Sequence, residues 1–329
     1  MKRPEVLARF LVVLVALVAV AVPLAAWWHV PLVHARMAED GGWLPESMQA
    51  RAGVPLVLRL TSDDVVHGFA VGKHDAPALD ILPGKVTETT LLFESPGTYT
   101  FYCTRWCGLN HWRMRGTIEV SGSSTTAQSV TEPLYVRLGI DLDEPRLTEG
   151  VPSRRPDAES SEVAFTGDLE GYAAEQYYRS RSPFAIWREL RREPVLAAVD
   201  DQALWDATAW IWRANTTEPS LEEGARLYAQ NCSACHGEQG AGDGVFADEL
   251  DAAVEADGDA GMDAQAGMIQ SPASFQDASR LLSASPALLQ GKIVRGGMGT
   301  GMPSWGPILT EQQTWSLVAF LYSFQFEVR

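Results

Sequence analysis

Cysteine is scarce in this chain of 329 residues: there are four. So few in so long a chain exclude a disulfide scaffold of the kind that staples small secreted domains. Histidine is scarce too, at six. Basic residues are outnumbered, 26 against 42 acidic, and the net charge is −16. That balance argues against nucleic acid as a partner. It fits either plain solubility or the steering of a basic partner towards an acidic face. Apart from one stretch near the N-terminus, long apolar runs are missing. The remaining composition, 46% hydrophobic, is that of ordinary globular protein. Its length suits roughly two or three small domains.

The one long apolar run extends from Phe10 to Trp28, 19 residues behind Lys2, Arg3 and Arg9. A helix of that length crosses a hydrocarbon core of roughly 30 Å. The basic flank places the N-terminus in the cytoplasm and everything after Trp28 outside, with Trp27 and Trp28 at the far interface. A cleaved signal peptide ending at Ala25-Ala26 is the competing reading. Its apolar core would be longer than the usual ~7–15 residues, and Leu24 fits the cleavage site poorly. Both readings export the same domains.

The expected divisions are residues 1–28 (cytoplasmic tip and anchor), 29–50 (connector), 51–122 (strands), 123–164 (linker), 165–217 (helical segment) and 218–329 (helical domain). Strands are predicted at Pro55–Leu60, Val65–Val71, Val86–Phe93, Thr98–Cys103 and Thr117–Val120, separated by turns at Leu82-Pro83-Gly84 and Ser95-Pro96-Gly97. Short strands so spaced suggest a small sandwich or barrel. Ser, Thr, Pro and charged residues dominate 123–164, which reads as a partly ordered linker. Helices are predicted at Glu222–Asn231, Pro286–Val294 and Glu311–Phe324, and the acidic, Ala/Gly-rich stretch 248–267 reads as a surface insertion.

Two segments look like copies. Asp201–Trp205 with Ala209–Trp212 matches Glu311–Trp315 with Ala319–Tyr322 at an offset of 110, and Ser182-Pro183 matches Ser285-Pro286 at 103. One reading is a degenerate, haem-less remnant of a cytochrome-like domain over 165–217, since the earlier copy lacks any Cys-x-x-Cys-His; the other is two amphipathic helices that share a tryptophan habit.

The chemistry concentrates in Cys103-Thr-Arg-Trp-Cys107-Gly-Leu-Asn-His111-Trp-Arg-Met114, with two thiols, an imidazole and a thioether in 12 residues. Soft thiolate and thioether donors with imidazole select copper. A blue single-copper site needs one cysteine; a second allows two thiolates to bridge two ions, each requiring its own imidazole. His67, in Asp64-Val-Val-His-Gly-Phe-Ala-Val71, is the candidate for the second. Zinc on Cys103, Cys107, His111 and His67 is the alternative, but it leaves Met114 without a role. His29, His34 and His74 lack such a context, and Trp106 and Trp112 flank the loop either as packing or as an electron conduit.

Asp64–Val71, Leu82-Pro83-Gly84, Gly97–Cys103, the ligand loop and Gly116-Thr117-Ile118, in that order, resemble subunit II of the haem–copper terminal oxidases. The resemblance implies a β-sandwich cupredoxin fold carrying the dinuclear CuA centre. It implies bridging by Cys103 and Cys107, one copper capped by His67 and the other by His111, a weak axial Met114, and a weak ligand in the backbone carbonyl of Arg105. Most relatives carry at that position an acidic side chain that helps hold magnesium against subunit I. Arg105 departs from this, so magnesium is not expected.

Cys232-Ser-Ala-Cys235-His236 is a c-type haem attachment motif: two thioethers anchor the porphyrin and the next residue reaches the iron. With Glu222–Asn231 before it and Gly237 after it, it resembles class I cytochromes c. That resemblance places the sixth ligand in Arg295–Trp305, at Met302 ahead of Pro303-Ser304-Trp305, with Met298 as the alternative. It also points to Pro272, in Ser271–Phe275, as part of the segment supporting the proximal imidazole. His/Met ligation raises the potential, which suits a donor to an oxidase. All four cysteines are then used, two per centre.

The expected chain is thus multidomain: one N-terminal transmembrane helix, a CuA cupredoxin and an α-helical class I cytochrome c with one haem c. The resemblance implies subunit II of a cytochrome c oxidase. Electrons would pass from an external donor, such as a cytochrome c or another small redox protein, through haem c and CuA to subunit I. No catalytic residue is expected in this chain; six histidines and one span are too few for an oxygen-reducing centre. Typical subunit II has two membrane helices. The single helix here leaves open a CuA subunit of a nitric oxide reductase, or a stand-alone membrane-anchored carrier or redox sensor. Nitrous oxide reductase would need a histidine-rich second domain, which is absent.

Overall fold

A computed structural model describes residues 11–13, 15, 30–108, 110–122, 132–161, 169–247, 272–297 and 302–327. It divides into two units, residues 1–127 and 128–329. Among the described residues no helix is long and apolar enough to cross a membrane. The span expected at 10–28 lies for the most part outside them.

The first unit is a β-sandwich. Its strands are β1 (Leu32–Ala35), β2 (Trp43–Leu44), β3 (Ser47–Arg51), β4 (Leu56–Ser62), β5 (His67–Val71), β6 (Leu79–Ile81), β7 (Val86–Leu91), β8 (Gly97–Tyr102) and β9 (Arg115–Ser121). One sheet has the order β2-β1-β4-β7 and the other β3-β9-β8-β5-β6. Period-two alternation drives the packing. Gly116, Ile118 and Val120 of β9 face inward, as do Leu58 and Leu60 of β4. Each fully buried aliphatic side chain contributes about 1.5–3 kcal/mol. Trp43 stands edge-on to Phe69 and Phe101, with ring centroids 5.8 and 5.4 Å away, and closes the core between the sheets.

The stretch expected as a connector, 29–50, is part of this sandwich. Strand β1 runs parallel to β4 and β3 parallel to β9, so the segment supplies strands to both sheets. Their short length hides them: β1 alternates over only four residues.

The second unit is helical, with α1 (Pro183–Arg192), α2 (Asp201–Ala214), α3 (Glu218–Asn231), α4 (Pro286–Arg295) and α5 (Glu311–Tyr322) as its longer helices. Thr217 and Ser220 form a capping box on α3, and Thr310 and Gln313 form one on α5. These two helices cross closely at Gly224, where a Cβ would come within 2.2 Å of the Ser316 carbonyl oxygen. Helices α1 and α4 share a design: Ser182 accepts from Ala185 N–H and Ser285 from Leu288 N–H, each at 3.2 Å, with proline in the first turn. Their partner helices differ in what they bury. Trp205 of α2 is buried and stacks on Trp187, whereas Trp315 of α5 is half-buried with the Arg179 guanidinium 4.0 Å above it.

Residues 132–161, expected within a linker, lie along this unit. Thr148 N–H donates to Ser279, Glu327 N–H donates to Pro156, and Arg295 forks onto Asp143 at 2.8 and 2.5 Å. Apolar contact is confined to a few positions, with Leu142 and Tyr135 against Gly291 of α4 and Gly150 against Phe184, and hydrogen bonds to distant residues do the rest.

Candidate metal centres

The copper-type donors converge at one end of the sandwich. His67 opens β5, Cys103 follows β8, and Cys107, His111 and Met114 lie on the loop leading into β9. The two sulfurs are 3.9 Å apart. Cys103 Sγ lies 3.8 Å from His67 Nδ1 and 3.2 Å from the Arg105 carbonyl oxygen. Cys107 Sγ lies 3.5 Å from His111 Nδ1 and 3.2 Å from Met114 Sδ. His67 and the Arg105 carbonyl thus contact Cys103, and His111 and Met114 contact Cys107, with His111 also acting on Cys103. His67, both cysteines, His111 and Met114 are all buried.

Backbone and core hold these groups from behind. Gly68 N–H donates to Cys103 Sγ at 3.4 Å, and a Cβ on Gly68 would fall 2.0 Å from Thr104 Oγ1, so β5 and the ligand loop approach only through glycine. The Trp43 indole donates to the Met114 carbonyl at 3.1 Å, and Cys103 N–H donates to the same carbonyl. Asp64 lies 2.6 Å from His67 Nε2. Reasoning from sequence missed Trp43 and the part of Asp64. Trp43 belongs to the supposed connector and carries no local signal. Asp64 had one: a carboxylate three residues ahead of a candidate metal histidine.

Electrostatics favour anionic sulfur. Cys107 and the two imidazoles hold Cys103 well below the ordinary thiol range against the opposing effect of burial. Cys107 is pushed up by its neighbour Cys103 and by burial, so the pair readily loses one proton and keeps the second. Burial opposes the ionisation of Asp64, but hydrogen bonds from His67, Met37 and Val65 hold it below its usual range. Two thiols with imidazole and thioether donors in a buried, rigid setting fit copper.

The haem motif sits on a single turn, Ser233–His236, directly after α3. Tyr228 donates to the Gly237 carbonyl at 2.7 Å and fixes the exit from that turn. His236 Nδ1 is 3.0 Å from the Ala273 carbonyl, which leaves Nε2 for the iron. The resemblance pointed to the segment Ser271–Phe275 with Pro272; within it, the carbonyl beside the imidazole is that of Ala273. Phe275 N–H on Gly240 and the Gln276 side chain on Gln239 pin this strand of chain, so that Ala273 faces the imidazole. Phe275 also stacks on His236, centroids 4.7 Å apart. Burial keeps His236 neutral by lowering its pKa, and raises both motif thiols, Cys232 to about 12. Met302 follows α4, its carbonyl accepting from Gly297 N–H at 3.1 Å. Met298 lies outside the described residues. The neutral imidazole, paired thiols and downstream thioether fit a covalently held haem.

Fold and donor sets together define a copper-type cupredoxin domain followed by a c-type cytochrome domain on one chain. Residues 46–121 match the family described as cytochrome c oxidase subunit II, periplasmic domain. Residues 219–321 match cytochrome c oxidase, cbb3-type, subunit III. The first domain thus matches the periplasmic domain of cytochrome c oxidase subunit II, and the second matches a cytochrome c domain. Cytochrome c oxidase subunit 2 of Thermus thermophilus is 38% identical over 79 residues, 24% of this chain and 58% of the relative. A second Thermus thermophilus subunit 2 is also 38% identical over 79 residues, covering 24% and 46%. The chain thus spans about half the length of these curated relatives. Among solved structures, the periplasmic domain of subunit II of Bradyrhizobium japonicum cytochrome oxidase is 27% identical, covering 23% of this chain and 54% of that one, with a TM-score of 0.22. A haem–copper terminal oxidase dimer is 22% identical, covering 36% and 100%, with a TM-score of 0.24.

Proposed function

We propose that this chain is the electron-input subunit of a haem–copper terminal oxidase. It takes electrons from an external redox protein at haem c and delivers them through a dinuclear CuA centre to subunit I, which reduces oxygen. The observation that carries this reading is the split donor set around two sulfurs 3.9 Å apart. Cys103 and Cys107 would hold the copper pair through their sulfurs. His67 with the Arg105 carbonyl would serve one, and His111 with Met114 the other. On the haem side, Cys232 and Cys235 would form the thioethers, and His236 and Met302 the axial pair. When bound, both groups supply one-electron redox chemistry. The protein binds them, excludes water and keeps the ligands from moving between oxidation states. Trp43, Phe69 and Phe101 do this at copper, and Phe275 with Tyr228 at haem.

Charge supports electron arrival at the haem unit. Residues 1–127 hold 11 basic and 11 acidic side chains; residues 128–329 hold 15 and 31. A basic donor is steered towards the second unit and not the first. Both units would lie outside the membrane, anchored by residues 10–28. Purification of the native membrane complex tests the reading. A haem–copper subunit should co-purify, and the complex should consume oxygen with reduced donor. A complex consuming nitric oxide instead, or a chain purifying alone, would overturn it.

A further inference from the structure

The two imidazoles of the copper site are held differently. His111 has the Trp106 ring against it, with centroids 4.5 Å apart. His67 is fully buried, with a carboxylate behind it: Asp64 Oδ1 is 2.6 Å from Nε2. A carboxylate only accepts, so Nε2 carries a ring proton and Nδ1 is the nitrogen left for a metal. Nδ1 faces Cys103 Sγ at 3.8 Å.

Asp64 is itself immobilised. Its Oδ2 accepts from Met37 N–H at 2.7 Å and its Oδ1 from Val65 N–H at 2.6 Å. Ser62 Oγ lies 3.4 Å from Oδ1 and donates to the Val65 carbonyl. Met37 follows β1, and its Sδ lies against Gly108 of the ligand loop. One residue thus braces the carboxylate through its backbone and touches the Cys107–His111 loop through its side chain. The neighbouring Asp63 serves elsewhere, accepting from Arg36 and pairing with His34, both away from the sulfurs.

We propose that Asp64 is a positioning residue of the copper centre. It holds the Nε2–H of His67, aims Nδ1 at the Cys103 side, and makes that imidazole the stronger donor of the two. This rests on the copper reading above. A carboxylate hydrogen-bonded to a ligand imidazole raises its basicity and favours the oxidised metal. The two terminal histidines are therefore electronically unequal.

The test uses the full chain with Asp64→Asn, Asp64→Ala and, as control, Asp63→Asn. Folding is checked by thermal melting and by the haem spectrum, which none of the three should change. In the metal-free protein with 15N-labelled histidine, wild type should show one histidine with a slowly exchanging Nε2–H proton. Asp64→Asn, whose side-chain oxygen can still accept, should keep that state; Asp64→Ala should lose it. In the copper-loaded protein, both Asp64 variants should raise the copper midpoint potential and shift the His67 resonances more than those of His111. Asp63→Asn should match wild type in every respect. Unchanged Nε2–H exchange in Asp64→Ala, or a potential unmoved in both Asp64 variants, would overturn the proposal. The Nε2–H readout needs no metal, so it fails or succeeds separately from the copper assignment.

Discussion

Arg105 and Asp80 form a two-pronged ion pair, Nε to Oδ1 at 2.7 Å and Nη2 to Oδ2 at 2.9 Å. It ties the loop between the two cysteines to β6, which pairs directly with the strand carrying His67. The pair holds Asp80 below the usual carboxylate range. Both side chains are more than half exposed, so breaking the pair should cost below about 1 kcal/mol of stability. The effect on the site should be larger than the effect on the fold, because the Arg105 carbonyl is the group positioned. Asp80→Ala should leave the melting temperature nearly unchanged while altering the copper spectrum. A large fall in melting temperature with an unaltered spectrum would contradict this.

The two centres should fail independently. Cys107→Ser should abolish the mixed-valence copper signal and leave the haem spectrum intact. Met302→Ala should shift the haem spectrum and lower its potential while sparing copper. Optical and paramagnetic resonance spectra of each folded variant check this; loss of both signals in either would refute the division.

Gly224 sets the crossing of α3 and α5. Gly224→Ala places a methyl against the Ser316 carbonyl and the Phe320 Cβ, which lie 2.2 and 2.7 Å from that position. The helices must separate, at a cost of about 1–3 kcal/mol. Chemical denaturation followed at the haem should show the loss, with the copper spectrum unaffected.

Acid should loosen residues 132–161 from the helical unit. Arg295 holds the Asp143 carboxyl below its ordinary value. A depressed carboxyl contributes stability that is fully present above about pH 4 and lost as pH falls further. Asp143 is well exposed, so the contribution is small and local. Hydrogen exchange at the Thr148 amide should quicken below that pH, and Asp143→Asn should quicken it at neutral pH.

What could be read from sequence was what is local. The strands around the ligand loop declared themselves through alternating β-branched and aromatic residues, and the metal donors through their chemistry and spacing. Strands β1 to β3 did not, since they are two to five residues long and β1 and β3 are held by distant partners, Ser47 of β3 pairing with Thr117. Residues 132–161 bond to positions more than a hundred residues away, such as Asp143 to Arg295, and leave no periodic trace. The segment Ser271–Phe275 could be read as supporting His236, but not which carbonyl in it lies beside the imidazole, since that depends on backbone pins at Gly240 and Gln239.

The central claim is tested most directly by counting metals in the purified full chain, with copper and iron measured against protein and the copper signal recorded by paramagnetic resonance. The account predicts two coppers and one iron per chain, with one unpaired electron shared by the copper pair. One copper, zinc in its place, or two haems per chain would contradict it.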